Sequence, residues 1–250
     1  MNEAMAAEFD TVAEWTAEVA LDLDPDHHLP AGCRGSGRPG SLRWFLDRLE
    51  VSTEHRMLDC GGGVGGPAAF ARAEVGVQPV LTDPAAGACR AARRLFGLTV
   101  VQAASSLPFR THAFDVAWSL GVVCTVPDQP LLLRELRRVL TPQGRLGLLV
   151  FVANGLAPSR RPEGNDFPTA ERLGQLLDDA GLVTENSATA AEYEQTPTLW
   201  QERAETVEAE LERRHRDDPA WVTAERQSRL IGDLLADGQV TPTMIVARVR

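Results

Sequence analysis

The stretch Met57-Leu58-Asp59-Cys60-Gly61-Gly62-Gly63-Val64-Gly65-Gly66 decides the fold of this chain. It has the pattern Asp-x-Gly-x-Gly-x-Gly, with a short apolar segment before it and an Ala-rich helical segment after it. Glycine has no Cβ, so glycines at alternate positions let a strand turn sharply into a helix. The backbone N–H groups of such a turn, and of the helix that follows, then face whatever binds there. The stretch therefore predicts a ligand site between a first strand and a first helix.

An acid two residues before the first glycine indicates what kind of ligand this loop binds. A dinucleotide brings two negatively charged phosphates, so its site favours an apolar strand end, whereas the carboxylate of Asp59 suits a ligand that carries positive charge. Gly61, Gly63 and Gly66 also fit the dinucleotide pattern Gly-x-Gly-x-x-Gly. Asp83 roughly meets the acid expected about 20 residues on. That pattern alone is a weak signal, and a nicotinamide enzyme remains the less favoured alternative.

Four further segments follow the glycine stretch in the order expected of alternating strands and helices. They are a second strand ending in an acid (Gln78–Asp83), a third strand (Leu98–Gln102) followed by Leu107-Pro108-Phe109, a fourth strand (Ala113–Gly121), and a helix end, Pro/Gly turn and fifth strand (Val139–Phe151). Alternation of this kind predicts a parallel sheet with helices on both faces.

In order and spacing, these segments resemble the class I S-adenosylmethionine-dependent methyltransferases, most of all the small-molecule type of ubiquinone biosynthesis. The resemblance covers residues 50–185 or so. It implies an α/β fold with a Rossmann-like, seven-stranded, mostly parallel sheet, whose sixth and seventh strands form a hairpin with the seventh antiparallel. It also implies an N-terminal helical cap over residues 1–48 and a methyltransferase domain over residues 49–250. A helical insertion is expected at residues 195–238 of that domain.

The resemblance assigns contacts to the cofactor, S-adenosylmethionine. Gly61, Gly63 and Gly65 wrap its methionine portion, and Asp59 lies behind them, facing either the loop amides or the ammonium group. Asp83 takes both ribose hydroxyls, because an ionised carboxylate only accepts hydrogen bonds and can serve two donors at once.

The adenine end departs from the family pattern. The family often has Gly-Asp-Ala before Leu-Pro-Phe, with the acid accepting from the adenine amino group, and here Ala103 replaces that acid. Adenine is therefore expected to meet backbone groups near Ala104 or the side chain of Ser105. A lost hydrogen bond of this sort costs about 1 kcal/mol. Ser119, on the fourth strand, completes the predicted cofactor contacts.

Methyl transfer from a sulfonium is an in-line displacement, which needs alignment more than side-chain chemistry. A base is needed only when the acceptor atom starts protonated. His27 and His28, in an N-terminal loop that could act as a lid, are the candidate catalytic bases, with two solvated loop histidines as the alternative. The predicted acceptor contacts are Trp15, Cys124, Tyr193 and Trp200. Aromatic caps suit a hydrophobic or planar acceptor, but helix packing explains them equally well.

Composition limits the other function classes. The net charge of −10 disfavours nucleic acid as a partner, because like charges repel. The four cysteines have no metal-ligand spacing, so no metal is expected, and reduced thiols fit a cytoplasmic protein. The N-terminus lacks the pattern of a signal peptide, and no apolar run approaches the ~18 residues of a membrane span. A small-molecule acceptor is the expected partner, and the oligomeric state stays open, with a homodimer as one alternative.

The segments outside the sheet are expected to be mainly helical. Residues 4–21 have helical spacing of apolar residues, residues 25–40 form a punctuated loop, and Ser41 looks like the N-cap of a helix to Leu49. Charged helices are expected at 197–216 and 220–236. The chain is interpreted as a small-molecule methyltransferase of secondary metabolism. The alternatives are a cofactor-binding protein that catalyses a cyclisation or another non-transfer reaction, and a non-enzymatic partner subunit with 197–216 as its interface.

Overall fold

The computed structural model describes residues 3–35, 37–156, 158–193 and 195–250. Its strands are β1 Arg56–Cys60, β2 Gln78–Asp83, β3 Thr99–Gln102, β4 Phe114–Leu120, β5 Leu140–Ala153, β6 Leu182–Thr189 and β7 Val240–Val249. They form one sheet in the order β3-β2-β1-β4-β5-β7-β6. Strands β1 to β5 pair in parallel, and β7 is antiparallel to both of its neighbours. The expected Rossmann-like sheet with an antiparallel last strand is confirmed.

Helices connect these strands and cover both faces of the sheet. They are α1 Glu3–Ala6, a π-helical segment Ala7–Val12, α2 Ala13–Asp22, a 3-10 turn Pro25–His27, α3 His28–Gly32, α4 Pro39–Arg48, α5 Gly66–Val75, α6 Ala86–Phe96, a 3-10 turn Val123–Thr125, α7 Gln129–Val139, α8 Ala170–Asp179, a 3-10 turn Ala190–Tyr193, α9 Thr198–His215 and α10 Pro219–Ala236. Within these described ranges, no helix is both long enough and apolar enough to cross a bilayer.

The central strands are buried on both faces, as expected of a parallel sheet covered by helices. Because successive side chains of a strand point to opposite faces, Met57 and Leu58 of β1 enter two different clusters. Leu58 packs with residues of α7 and α8, whereas Met57 packs with Phe45 of α4 and Trp118 of β4. The helices on both faces therefore hold the carboxyl ends of β1, β2 and β4 at one fixed edge.

The N-terminal helices and the two helices between β6 and β7 pack together. Val19 of α2, Leu211 of α9 and Trp221 of α10 are all buried in one cluster, which also contains Leu95 of α6. The segments expected as a cap and as an insertion thus form a continuous layer over α6. This layer brings the N-terminal segment to the edge of the sheet where β2 ends.

Three local expectations were wrong in detail. Helix α4 begins at Pro39 with Arg38 as its N-cap, not at Ser41, because proline at the first helical position has a backbone angle already suited to a helix. The expected loop over residues 25–40 contains a 3-10 turn and α3, while Ser36 lies outside the described residues. The Pro/Gly turn expected before the fifth strand lies inside β5, where the pairing register with β4 shifts between Phe114 and Val116.

Candidate functional site

The glycine loop connects β1 to α5 in a left-handed backbone conformation. Gly61, Gly63 and Gly65 have φ angles of +75°, +55° and +91°. A Cβ at Gly61 would lie 2.3 Å from Cγ2 of Val122, whereas a Cβ at Gly63 would meet nothing within 4 Å. Glycine is therefore required at 61 both by its backbone conformation and by close packing, while Gly63 borders open space.

Asp59 is buried beneath this loop, with only 1% of its surface exposed. A Cβ at Gly62 would lie 2.8 Å from the Asp59 carboxyl carbon, so the loop packs directly on the acid. Its Oδ2 has no hydrogen-bond partner among the described residues. Burial raises the pKa of Asp59 to about 7; the Trp118 indole and the Ala68 amide oppose this shift, and the charge of Asp83 adds to it. A buried carboxyl with an unpaired oxygen favours a cationic ligand at the loop.

Asp83, at the end of β2, holds two backbone amides. One carboxylate oxygen accepts from the N–H of Gly63 and the other from that of Ala85, each at 2.9 Å. Burial raises the pKa of Asp83 to about 6, although these two hydrogen bonds act against the shift. A carboxylate has about four acceptor sites, so two remain for donors such as the hydroxyls of a diol.

The predicted adenine contacts lie on the loop that follows β3. The N–H of Ala103 donates to the carbonyl of Asp83 at 3.0 Å, so this loop starts beside the predicted ribose acid. Ala104 is exposed and Ser105 is partly buried. Ser119 differs, because it is fully buried and its hydroxyl donates to the carbonyl of Cys60 at 2.9 Å. That bond fixes the end of β4 against the end of β1, which indicates a supporting position rather than a direct contact.

The four predicted acceptor contacts lie in three different clusters. Trp15 stacks in parallel on His215, with ring centroids 3.8 Å apart, in the layer that covers α6. Cys124 lies in the core on the α7 and α8 side of the sheet, and its thiol donates to the carbonyl of Phe151 at 3.3 Å. Burial raises the pKa of Cys124 to about 12, so the thiolate is strongly disfavoured at neutral pH.

Tyr193 and Trp200 both pack on the opposite side of the sheet. Tyr193 lies against Trp44, with ring centroids 6.0 Å apart, and Trp200 meets Phe70 edge to face at 6.2 Å. These two residues therefore join the start of the insertion to α4 and α5. The structure brings Tyr193 and Trp200 into one cluster but separates both from Trp15 and Cys124.

The two candidate bases lie on short helices rather than in an irregular loop. His27 ends the 3-10 turn Pro25–His27, and its Nδ1 lies 3.0 Å from a carboxylate oxygen of Asp24. His28 begins α3, whose last residue, Gly32, contacts the first residue of α5, Gly66. The two histidines therefore lie on a segment that packs against the start of α5, directly after the glycine loop. Their role as bases remains a prediction.

The N-terminal segment reaches the site in a way that the sequence did not indicate. A carboxylate oxygen of Asp10 accepts from the N–H of Gly87, in the first turn of α6. Asp10 lies in the π-helical segment, a conformation that is rare and often found at functional sites. No sequence pattern marks such a segment, and the contact joins residues far apart in the chain.

A second charged cluster joins the N-terminal segment to the insertion. The Nε of Arg34 lies 2.9 Å from a carboxylate oxygen of Glu208 in α9. Burial raises the pKa of Glu8, Arg34 opposes that shift, and Glu208 adds to it. The neighbouring Gly35 brings its carbonyl oxygen to 3.7 Å from where a Cβ of Gly121 would lie, so this cluster is close to the end of β4.

A polar cavity of about 800 Å³ lies outside the glycine loop. It is lined by residues 158–165 together with Arg226 and Leu230 of α10. Two of the lining residues, Arg226 and Glu163, form an ion pair with a separation of 3.7 Å. None of the predicted cofactor or acceptor residues lines this cavity.

Comparisons with known sequences find methyltransferases. A family model described as a methyltransferase domain matches residues 58–148. A methyltransferase named GfsG from Streptomyces halstedii is 33% identical over 119 residues, which cover 44% of this chain and 43% of that protein. The ubiquinone/menaquinone biosynthesis C-methyltransferase UbiE of Stenotrophomonas maltophilia is 34% identical over 148 residues, covering 54% of this chain and 58% of the relative. The chain therefore spans about half the length of the curated relatives it matches.

Solved structures share the fold at lower sequence identity. The [4+2]-cyclase SpnF superposes with a TM-score of 0.66 at 21% identity, covering 83% of this chain and 79% of the cyclase. Phosphoethanolamine N-methyltransferase 2 of Haemonchus contortus, solved with S-adenosyl-L-methionine, gives a TM-score of 0.66 at 17% identity, covering 85% of this chain and 53% of that enzyme. One fold thus serves a methyltransferase and a cyclase among these neighbours.

Proposed function

Because residues 58–148 form a methyltransferase domain of the class I S-adenosylmethionine-dependent type, we propose that this chain transfers a methyl group from S-adenosylmethionine to an O, N or C atom of a small organic acceptor. One observation carries the proposal. Asp59 is buried beneath the glycine loop, and Asp83 holds the amide of Gly63 in the same loop. The site therefore combines a carboxyl suited to a cation with a carboxylate suited to a diol.

The residues of this site fit the two ends of the cofactor. S-adenosylmethionine supplies an electrophilic methyl group on a sulfonium. Asp59 and the loop amides would hold its ammonium and carboxylate groups, since Oδ2 of Asp59 is unpaired and Gly63 borders open space. The remaining acceptor capacity of Asp83 would serve the ribose diol. Ala104 and Ser105 would meet the adenine.

The chain would accelerate transfer mainly by positioning, because an in-line displacement depends on alignment of the two reacting atoms. The carboxyl ends of β1 and β4 are held together by the bond from Ser119 to Cys60, which fixes the floor on which the acceptor would lie. His27 or His28 would remove a proton where the acceptor needs it. Cys124 is unsuited to that task because its buried thiol stays protonated.

A second candidate function is a cyclisation within the same pocket. The observation that favours it is the fold shared with the cyclase SpnF. A third candidate, a non-enzymatic partner subunit, would use the charged surface of α9 as its interface. A role in secondary metabolism stays a prediction.

Production of S-adenosylhomocysteine separates these three functions. The protein would be incubated with S-adenosyl-L-[methyl-¹³C]methionine and a panel of phenols, amines and activated methylene compounds, with mass spectrometry of all products. Methyl transfer gives one S-adenosylhomocysteine per labelled acceptor. An isomerised acceptor of unchanged mass, with no S-adenosylhomocysteine formed, indicates cyclisation. Cofactor binding without any product across the panel would favour the partner subunit.

A further inference from the structure

The N-terminal segment places a second carboxylate beside the predicted ribose acid. Asp10 accepts from the amide of Gly87, and Asp83 accepts from the amide of Ala85. Both amides belong to the turn that starts α6, so the two carboxylates are bound two residues apart on one short stretch of backbone. The two groups are close enough to interact electrostatically, because the charge of Asp10 contributes to the raised pKa of Asp83.

Close packing fixes the backbone at this contact. A Cβ at Gly87 would lie 2.2 Å from the carbonyl oxygen of Asp10, so only glycine lets the N-terminal segment approach α6 this closely. The π-helical turn carries Asp10 at the middle of the contact. The segment is tied to α6 a second time, since Glu14 pairs with Arg90 at 2.6 Å.

Each of the two carboxylates keeps acceptor capacity. Among the described residues, Asp10 accepts from Gly87 through one carboxylate oxygen and makes no hydrogen bond through the other. Asp83 uses one lone pair of each oxygen. Oδ2 of Asp59, beneath the glycine loop that Asp83 holds, is also buried and unpaired, and the charge of Asp83 adds to the raised pKa of Asp59. Two neighbouring carboxylates repel each other, and hydrogen-bond donors placed between them offset that repulsion.

We propose that Asp10 is the second carboxylate of the ribose site, so that the two ribose hydroxyls are shared between Asp83 on the sheet and Asp10 on the N-terminal segment. This inference rests on the proposed cofactor site. It makes the N-terminal segment part of the cofactor pocket rather than only a cover. The diol would then link the segment to the sheet, because each of its hydroxyls would donate to a carboxylate from a different element.

The test measures binding of S-adenosylhomocysteine and of its 2′-deoxy and 3′-deoxy analogues by titration calorimetry. Asp10→Asn should weaken S-adenosylhomocysteine at least about tenfold, since hydrogen bonds to charged groups contribute strongly. The same substitution should reduce the affinity for at least one deoxy analogue much less, because that analogue lacks the hydroxyl that donates to Asp10. Glu14→Gln is the matched control, since it loosens the same segment from α6 and should change affinity less than about twofold.

Equal losses for the parent ligand and both analogues, or equal effects of Asp10→Asn and Glu14→Gln, would overturn the proposal and leave Asp10 as a helix cap. If Asp10→Asn does not fold, hydrogen exchange of the wild-type protein decides. Amides 7–12 should gain protection with S-adenosylhomocysteine and less with a deoxy analogue, and equal protection would refute the shared diol. A wild-type protein that binds none of these ligands would instead refute the proposed cofactor site.

Discussion

Asp83 and Gly63 are joined by a hydrogen bond of 2.9 Å, in which the loop amide donates to the carboxylate at the end of β2. The acid predicted to hold the ribose therefore also shapes the loop predicted to hold the methionine portion. The two ends of the cofactor site are mechanically connected, so a change at either residue should be felt by the whole ligand.

Removing the Asp83 carboxylate should weaken the cofactor. Asp83→Ala should lower the affinity for S-adenosylhomocysteine by about 1.5–3 kcal/mol, the range for hydrogen bonds to a charged group. Titration calorimetry measures it. Asp115→Ala is the control, because Asp115 pairs with Arg56 at the start of β1, the opposite edge of the sheet. Wild-type affinity in Asp83→Ala would contradict the ribose assignment.

The stability of the ligand-free protein should fall as the pH rises from about 4 to about 7. The folded-state pKa values of Asp83 and Asp59 are raised to about 6 and about 7 from an ordinary value of 3.8. The folded protein therefore holds these two protons more tightly than the unfolded chain does, so their stabilising contribution is complete below the ordinary pKa of 3.8 and is lost as the pH rises to the folded-state values. Ion-paired acids such as Asp115, whose pKa is lowered, stay ionised throughout this window.

Thermal unfolding across that window measures how stability depends on pH. The variant Asp59→Asn separates the contribution of Asp59 from that of the titrating histidines. The variant should lose less stability than the wild type between the two ends of the window. A cationic ligand favours ionised Asp59, so the affinity for S-adenosylmethionine should rise over the same range in the wild type and less in Asp59→Asn. Parallel stability curves for the two proteins would show that Asp59 titrates normally.

The glycine loop should tolerate substitution unequally. Gly61→Ala combines a positive φ, which costs roughly 1–2 kcal/mol for a residue with a Cβ, with a clash against Val122. Gly63→Ala has the φ cost alone, because it borders open space. We expect Gly61→Ala to have the lower melting temperature, and Val122→Ala to restore part of it in the double variant. Equal melting temperatures for the two single variants would contradict the packing described for the loop.

The sheet was predictable from the sequence because its signals are local. Asp59, the glycines and Asp83 each lie at the end of a short apolar run, so their place at one edge follows from alternating strands and helices. Pro39 is a local signal of the true start of α4, since proline is favoured at the first helical position and marks this helix start better than Ser41.

The long-range contacts of the site could not be predicted in this way. Asp10 and Gly87 are brought together only when the N-terminal layer packs on α6, and neither residue has a distinctive local pattern. The aromatic residues were similarly ambiguous, since Trp15 stacks on His215 while Trp200 meets Phe70 in a different cluster. Sequence indicates which residues are apolar, but tertiary packing decides which of them face a pocket and which face each other.

Catalysis should not depend on a metal ion. In the part of the chain that the structure describes, no group of three or more His, Cys, Asp or Glu side chains is arranged to hold one. Methyl transfer should therefore proceed at an unchanged rate in excess EDTA, measured as formation of S-adenosylhomocysteine. A loss of turnover that added magnesium restores would reveal a metal site formed with the acceptor.

Acceptor recognition should depend on the outer segments, because the predicted cofactor contacts take up the strand ends. Trp200→Ala removes an edge-to-face contact with Phe70, so it should loosen the packing of the start of α9 on α5. We expect a higher KM or a lower kcat for the acceptor, a lower melting temperature, and nearly unchanged affinity for S-adenosylhomocysteine. Leu199→Ala is the matched control. The Leu199 side chain is 61% exposed, so its removal should change neither the acceptor kinetics nor the melting temperature. Loss of cofactor binding in Trp200→Ala, with acceptor kinetics preserved, would show that this segment serves the cofactor instead.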